Sequence, residues 1–278
     1  MSGLSLSLRQ PPPGRISLFG LTPNRLAGKA PVEIERLPLA WGAHGLPVGE
    51  LFRVRGSADM QWVFEGDCSR FSDLGGGMEQ GAIEVKGDAG EFVGRDMVGG
   101  RIAVRGSVGR FAACGLAGGE LQIDGNAGER LGAALPWLAA GMRGGRVIVA
   151  GSVGERCGDK LRRGEIFIGG NAGAFCATRM VAGTIAVAGR IGPHAGYGMR
   201  RGTLLLLGAQ YSPPPTFMET AMTADAYLRL LWRDWLARPA SAAFAGFARR
   251  AMAGEGRVRR WMGDVGSDGR GEVFAFGG

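Results

Sequence analysis

The sequence predicts an all-β fold, a right-handed parallel β-helix of 19-residue coils followed by a C-terminal helical segment. Three observations lead there. A glycine-marked unit recurs at a nearly constant interval, apolar residues alternate within each unit, and further apolar rows recur at fixed offsets. The units are GAIEVKGDAG from Gly81, GRIAVRGSVG from Gly100, GELQIDGNAG from Gly119 and GRVIVAGSVG from Gly145. They continue as GEIFIGGNAG from Gly164, GTIAVAGRIG from Gly183 and GTLLLLG from Gly202. Their starts lie 19, 19, 26, 19, 19 and 19 residues apart, the exception being one period plus seven. A constant period of this length marks a repeat architecture, in which each unit buries its apolar face by stacking on its neighbours.

Residues 1–48 are expected to form an N-terminal cap, because an open first coil would expose core and unpaired backbone. They hold a strand-like Leu4–Leu8, a break at Pro11-Pro12-Pro13 and a short segment near Pro31–Leu37. Residues 49–210 are expected to form the β-helix, beginning with degenerate strands at Phe52/Val54 and Trp62/Phe64. Alternation of period two makes a strand with one buried face. The inward pairs are Ile83/Val85, Ile102/Val104, Leu121/Ile123, Val147/Val149, Ile166/Ile168, Ile185/Val187 and Leu204/Leu206. Three more rows follow: Ala89 to Ile191, Val93 to Ala195, and Met78 to Met199, the last three residues before each unit. Several inward rows per unit mean that the chain winds around a closed core. Residues 211–278 change grammar. Pro213-Pro214-Pro215 ends the rod, and Thr223 starts a helix with Leu228, Leu231, Trp232 and Trp235 on one face. After Pro239, Ser241 opens a second helix that closes near Gly254. These helices are expected to cap the far end or to grip a partner.

Composition sets limits. The 278 residues include 52 glycines and 45% hydrophobic residues, without the every-third-residue glycine of collagen or the apolar poverty of disorder. No basic-then-apolar leader opens the chain and no apolar run nears the roughly 20 residues of a membrane span, so a cytoplasmic protein is expected. The cysteines at 68, 114, 157 and 176 lack the spacing of zinc or iron–sulfur ligands. The net charge of +8 sits mainly in residues 145–208, with nine basic against three acidic side chains. Without interleaved aromatics this is not a nucleic-acid signature.

Each residue that could carry chemistry has a plainer explanation. Cys157 and Cys176 share one offset in adjacent coils, within disulfide reach, but their row also holds valine, leucine and alanines, as a small buried slot would. His44 and His194 lie in different segments, and His194 falls in an outward or mixed row with Phe92, Phe111, Arg130, Arg156 and Phe175. Asp88, Glu91 and Asp96 cluster in one coil, yet the next coil has Ser107, Arg110 and Gly115 there, unlike the Asp/Lys/Arg constellation of pectin-degrading β-helices. Gly28-Lys29-Ala30 lacks the elements of a phosphate loop. No catalytic, cofactor or metal residue is therefore assigned. Two features point to contacts instead. Arg162-Arg163 and Arg200-Arg201 stand at the same corner two coils apart, with Arg179 near the same edge. Stacked, they predict a positive strip for an acidic protein surface or a polyanionic cofactor tail. The seven-residue insertion within Gly132–Met142 places Leu135, Pro136, Trp137 and Leu138 on a bulge, which a partner is expected to bury.

The GxIxVxGxxG unit resembles the GXGXG β-helix of the glutamate synthase C-terminal domain. The whole layout more closely resembles the C-subunit of formylmethanofuran dehydrogenases. Leu21–Gly28, Pro31–Leu39 and Gly49–Gly56 look like that family's lead-in, and the likeness runs from about residue 16 to 210. The resemblance implies a non-catalytic scaffold in tetrahydromethanopterin-linked one-carbon metabolism, and the arginine-rich composition favours the bacterial formyltransferase/hydrolase branch. It further implies amidohydrolase-like, formyltransferase and molybdoenzyme-like partner subunits. Those partners handle the methanofuran-type carrier and tetrahydromethanopterin, with no cofactor in this chain. The residues leave two alternatives: a stand-alone carbohydrate-active β-helix enzyme, and a separate-chain relative of the glutamate synthase domain.

Overall fold

Alternation within each repeat becomes one strand per coil of a single 13-stranded sheet. The computed structural model describes residues 3–41, 45–208, 211–221, 225–255 and 257–277, so His44 and Thr223 lie outside the described residues. The strands of the sheet are β1 (Leu4–Leu8), β2 (Phe52–Arg55), β3 (Gln61–Glu65), β4 (Ala82–Lys86), β5 (Arg101–Val104), β6 (Glu120–Ile123) and β7 (Arg143–Val149). They continue as β8 (Arg163–Ile168), β9 (Thr184–Val187), β10 (Thr203–Leu206), β11 (Met218–Thr220), β12 (Arg257–Gly263) and β13 (Gly271–Gly277). From β3 to β10 each new strand joins its predecessor in parallel, with β1 on the other side of β3. Register follows the period: Ile83 lies beside Ile102, Ile102 beside Leu121, Leu121 beside Val147, and so on to Ile185 beside Leu204.

A second ladder joins the same coils. Isolated parallel bridges link Cys68, Ala89, Val108, Ala127, Val153, Ala172 and Ile191 in succession. A third set of contacts runs through the row beginning at Val93. There Ala113 N–H donates to Val93 O, Gly132 to Ala112, Gly158 to Leu131 and Ala177 to Cys157, each at 2.8 Å. These ladders surround one apolar core, into which the row Met78, Met97, Leu116, Met142, Leu161, Met180 and Met199 is fully buried. Glycine opens each coil for a steric reason. Gly119 has φ +79°, and a Cβ there would sit 2.6 Å from the Gly100 carbonyl oxygen of the coil before.

At the N-terminal end of the sheet Leu4–Leu8 inserts between β3 (parallel) and β2 (antiparallel). The tail is more than helical. β13 takes the next parallel place beside β10, and β12 and β11 extend the sheet antiparallel from it, so strands complete that edge. Helices α1 (Asp225–Ala237) and α2 (Ala242–Met252) instead lie against the outer face of the sheet. There Ile148, Phe167, Ala186 and Leu205, which alternation alone would point to water, pack with Trp232, Trp235 and Phe244 in a second core. Arg146 pins this layer from the sheet side: its Nη2 donates to the Arg238 carbonyl just past α1, and its guanidinium lies 4.7 Å from the Phe167 ring centre. Among the described residues no helix is long and apolar enough to cross a membrane.

Candidate functional site

The seven extra residues leave the coil between β6 and β7 as a pinched loop. Met142 N–H donates to Gly132 O at 2.9 Å, closing the loop where it departed. Its base is tied to the next coil, since Ala134 N–H donates to Asp159 O and Gly141 N–H to Lys160 O, both at 3.0 Å. The Lys160 ammonium donates to Leu138 O at 2.9 Å. At the tip Trp137 is 77% exposed and Leu138 39%. The bulge therefore does not fold back over the rod.

Beside the loop lies a groove of about 460 Å³. Ala139 forms one wall, Lys160, Arg179 and Arg200 ring it, and Val181 and Tyr197 complete the lining with Gly198. Ser267 enters from the C-terminal tail, in the short turn Val265–Ser267. Asp264, 3% exposed, holds that turn against the rod by accepting from Gly198 N–H at 3.0 Å and Gly266 N–H at 2.9 Å. Three stretches distant in sequence thus build one concavity.

The arginine edge is more heterogeneous than stacking predicts. Arg162, Arg163, Arg200 and Arg201 are exposed and make no ion pair with a described residue. The Arg162, Val181 and Arg200 N–H groups bond to the coil before them at Met142, Leu161 and Met180, so these three residues form one row. Arg179 is different. Its Nε donates to Asp159 Oδ1 at 2.9 Å and its Nη2 to Asp159 Oδ2, and this carboxylate is 1% exposed. Hydrogen bonding to Asp159 holds the guanidinium more firmly in its charged form, but the pair carries little net charge. Arg179 therefore stiffens the edge instead of adding a free cation. Lys160 and Tyr197 join the site without belonging to any motif that sequence reasoning picks out. A signal for Lys160 is present, since it stands 19 residues before Arg179.

No protein-family model matches the chain. It is 38% identical over 87 residues to the C-subunit of the formyltransferase/hydrolase complex Fhc of Methylorubrum extorquens, an alignment covering 31% of this chain and 33% of that relative. It is 35% identical over 78 residues to the C-subunit of the molybdenum-containing formylmethanofuran dehydrogenase 1 of Methanosarcina barkeri, covering 26% of each. These sequence alignments span a third or less of the curated relatives. The structural match is complete. A chain in the crystal structure of the formyltransferase/hydrolase complex (FhcABCD) from Methylorubrum extorquens with methylofuran superposes with a TM-score of 0.89. That match has 38% identity over 98% of both chains. The chain belongs to the formylmethanofuran dehydrogenase C-subunit family.

The remaining sequence candidates take structural places in this C-subunit fold. All four cysteines are free and buried. Cys157 and Cys176 interact with each other, and that contact together with burial pushes the Cys157 thiol well above its ordinary value. His194 is exposed and stacks on Phe175 with ring centres 4.8 Å apart. Its row is a corner: Phe92, Phe111, Arg130, Arg156, Phe175 and His194 all have φ between 58° and 62°, and planar side chains stack from coil to coil. The acidic trio does not converge. Asp88 Oδ1 accepts from Ser107 N–H at 2.7 Å, Ser107 Oγ from Asn126 N–H at 3.1 Å, and Asn126 Oδ1 from Ser152 N–H at 2.8 Å. Ser152 and Asn171 continue the ladder to Arg190. Glu91 pairs with Arg15 and Arg110, and Asp96 lies 3.7 Å from Arg143. Among the described residues no group of three potential ligands stands ready for a metal.

Proposed function

We propose that this chain is the scaffold of a formyltransferase/hydrolase complex, a right-handed parallel β-helix that organises catalytic companions and performs no chemistry by itself. The observation that carries this reading is the end-to-end structural match to a chain of the FhcABCD complex. The acidic residues that a carbohydrate-active enzyme would gather are instead engaged in a backbone ladder and in ion pairs, which disfavours that alternative. The companions are amidohydrolase-like, formyltransferase and molybdoenzyme-like chains. They move a formyl group from tetrahydromethanopterin to a methanofuran-type carrier and release formate, in the cytoplasm. Arg162, Arg163, Arg179, Arg200 and Arg201, with Trp137, are the points where this chain meets those companions or the anionic part of the carrier.

Native purification with mass spectrometry from cells growing on a one-carbon compound tests the reading. Stoichiometric companion chains of these classes are expected. A chain that purifies alone, or that degrades polysaccharide in isolation, would refute it.

A further inference from the structure

We infer that the groove between the Trp137 loop and the C-terminal turn receives an extended acidic segment of a companion polypeptide. This deepens the scaffold reading and rests on it. Charge selects the sign of the occupant. Among the described residues, Lys160 and Arg200 reach the groove without a carboxylate partner, Arg162 and Arg163 stand just outside it, and the nearby carboxylate of Asp159 is taken up by Arg179. Cations left unpaired along one edge attract a negative partner and steer its approach.

Shape selects a chain over a small ion. The row Arg162, Val181, Arg200 climbs two coils, about 10 Å at the usual strand spacing, which three residues of extended polypeptide cover. Apolar contacts select protein. Tyr197, 56% exposed, lines the groove with the cations, and Trp137 (77%) and Leu138 (39%) belong to the loop that forms its Ala139 wall. Exposed aromatics near arginine are the composition of an interface anchor. A tail made only of carboxylates would leave those surfaces wet. The groove is also preformed: Lys160 is tied to Leu138 O, Arg179 to Asp159, and the Ser267 turn to Gly198 through Asp264. Binding there sacrifices little side-chain freedom.

The experiment uses the assembled complex. A photoreactive Trp137→p-benzoylphenylalanine substitution is cross-linked and the attached peptide is sequenced. The expected product is a net-acidic segment of a formyltransferase/hydrolase companion. The double variant Lys160→Glu/Arg200→Glu should weaken retention of that companion by about tenfold at 0.15 M salt and flatten its salt dependence. The exposed Arg229→Glu control, on the helical layer, should leave both unchanged. Cross-links only to the carrier, to a neutral or basic segment, or to nothing within an intact complex would overturn the inference while sparing the scaffold reading. A chain that never co-purifies with companions would remove the scaffold reading itself.

Discussion

Cys68 and Cys114 sit where a thiolate would be poorly solvated, and burial pushes their pKa values up to about 12 and about 11. An exposed thiol in the unfolded chain titrates near ~8.5. Between those values the folded chain holds protons that the unfolded chain releases, so the stabilisation is complete below pH ~8.5 and disappears as pH climbs through 11–12. Burial shifts the Tyr211 hydroxyl upward too, adding to the same slope. The urea midpoint should therefore be flat from about pH 7 to 8 and fall above about 9. The variant Cys68→Ala/Cys114→Ala should fall less steeply, because two of the raised groups are then gone while Tyr211 and Cys157 remain. A midpoint that rose above about pH 9 would contradict this assignment. Contact with Cys176 and burial raise the Cys157 thiol as well, and a thiol that resists ionisation is a poor nucleophile.

The helical layer makes its own demand. Trp235 is fully buried, with its ring centre 5.0 Å from Phe167, 5.5 Å from Phe244 and 4.9 Å from Trp232. Trp235→Ala should cost about 3–5 kcal/mol, whereas Leu230→Ala on the same helix, 64% exposed, should stay within about 0.5 kcal/mol. Equal shifts in a denaturant titration would mean that α1 does not pack on the sheet as described. The first strands and all seven units were legible because period-two alternation and a constant interval determine both face and neighbour. Phe167, Ala186 and Leu205 were not legible as buried, since a strand's second face is decided by whatever covers it, here helices that begin only at Asp225. β12 and β13 escaped for a related reason. RVRRWMG carries three arginines on a strand near the sheet edge, and GEVFAFG is buried on both faces, so neither shows the unit's alternation. The Asp88–Ser107–Asn126–Ser152–Asn171 ladder was hidden by chemistry that varies while the acceptor role persists.

At the scale of the whole molecule, the insertion is a closed excursion from one coil. Met142 N–H returns to Gly132 O where the loop departed, and Ala134 N–H, Gly141 N–H and the Lys160 ammonium tie its base to the next coil. In regular coils four positions separate the buried rows, as from Val93 to Met97 and from Ala112 to Leu116. In the expanded coil eleven separate Leu131 from Met142. Deleting 135–141 restores the spacing of four and leaves Ala134 at the offset that Asp96 and Gly115 fill with φ of 54° and 71°. An alanine in that left-handed region costs about 1 kcal/mol, which Ala134→Gly relieves. The deletion combined with Ala134→Gly should therefore keep its far-ultraviolet circular dichroism and a stability within about 1 kcal/mol of the parent in a urea titration. It should nevertheless lose companion chains on native purification, since Trp137, Leu138 and the Ala139 wall go with the loop. Collapse of the fold would make the loop part of the rod's own stability. Retention of every companion with the fold intact would place the assembly surface elsewhere on the rod.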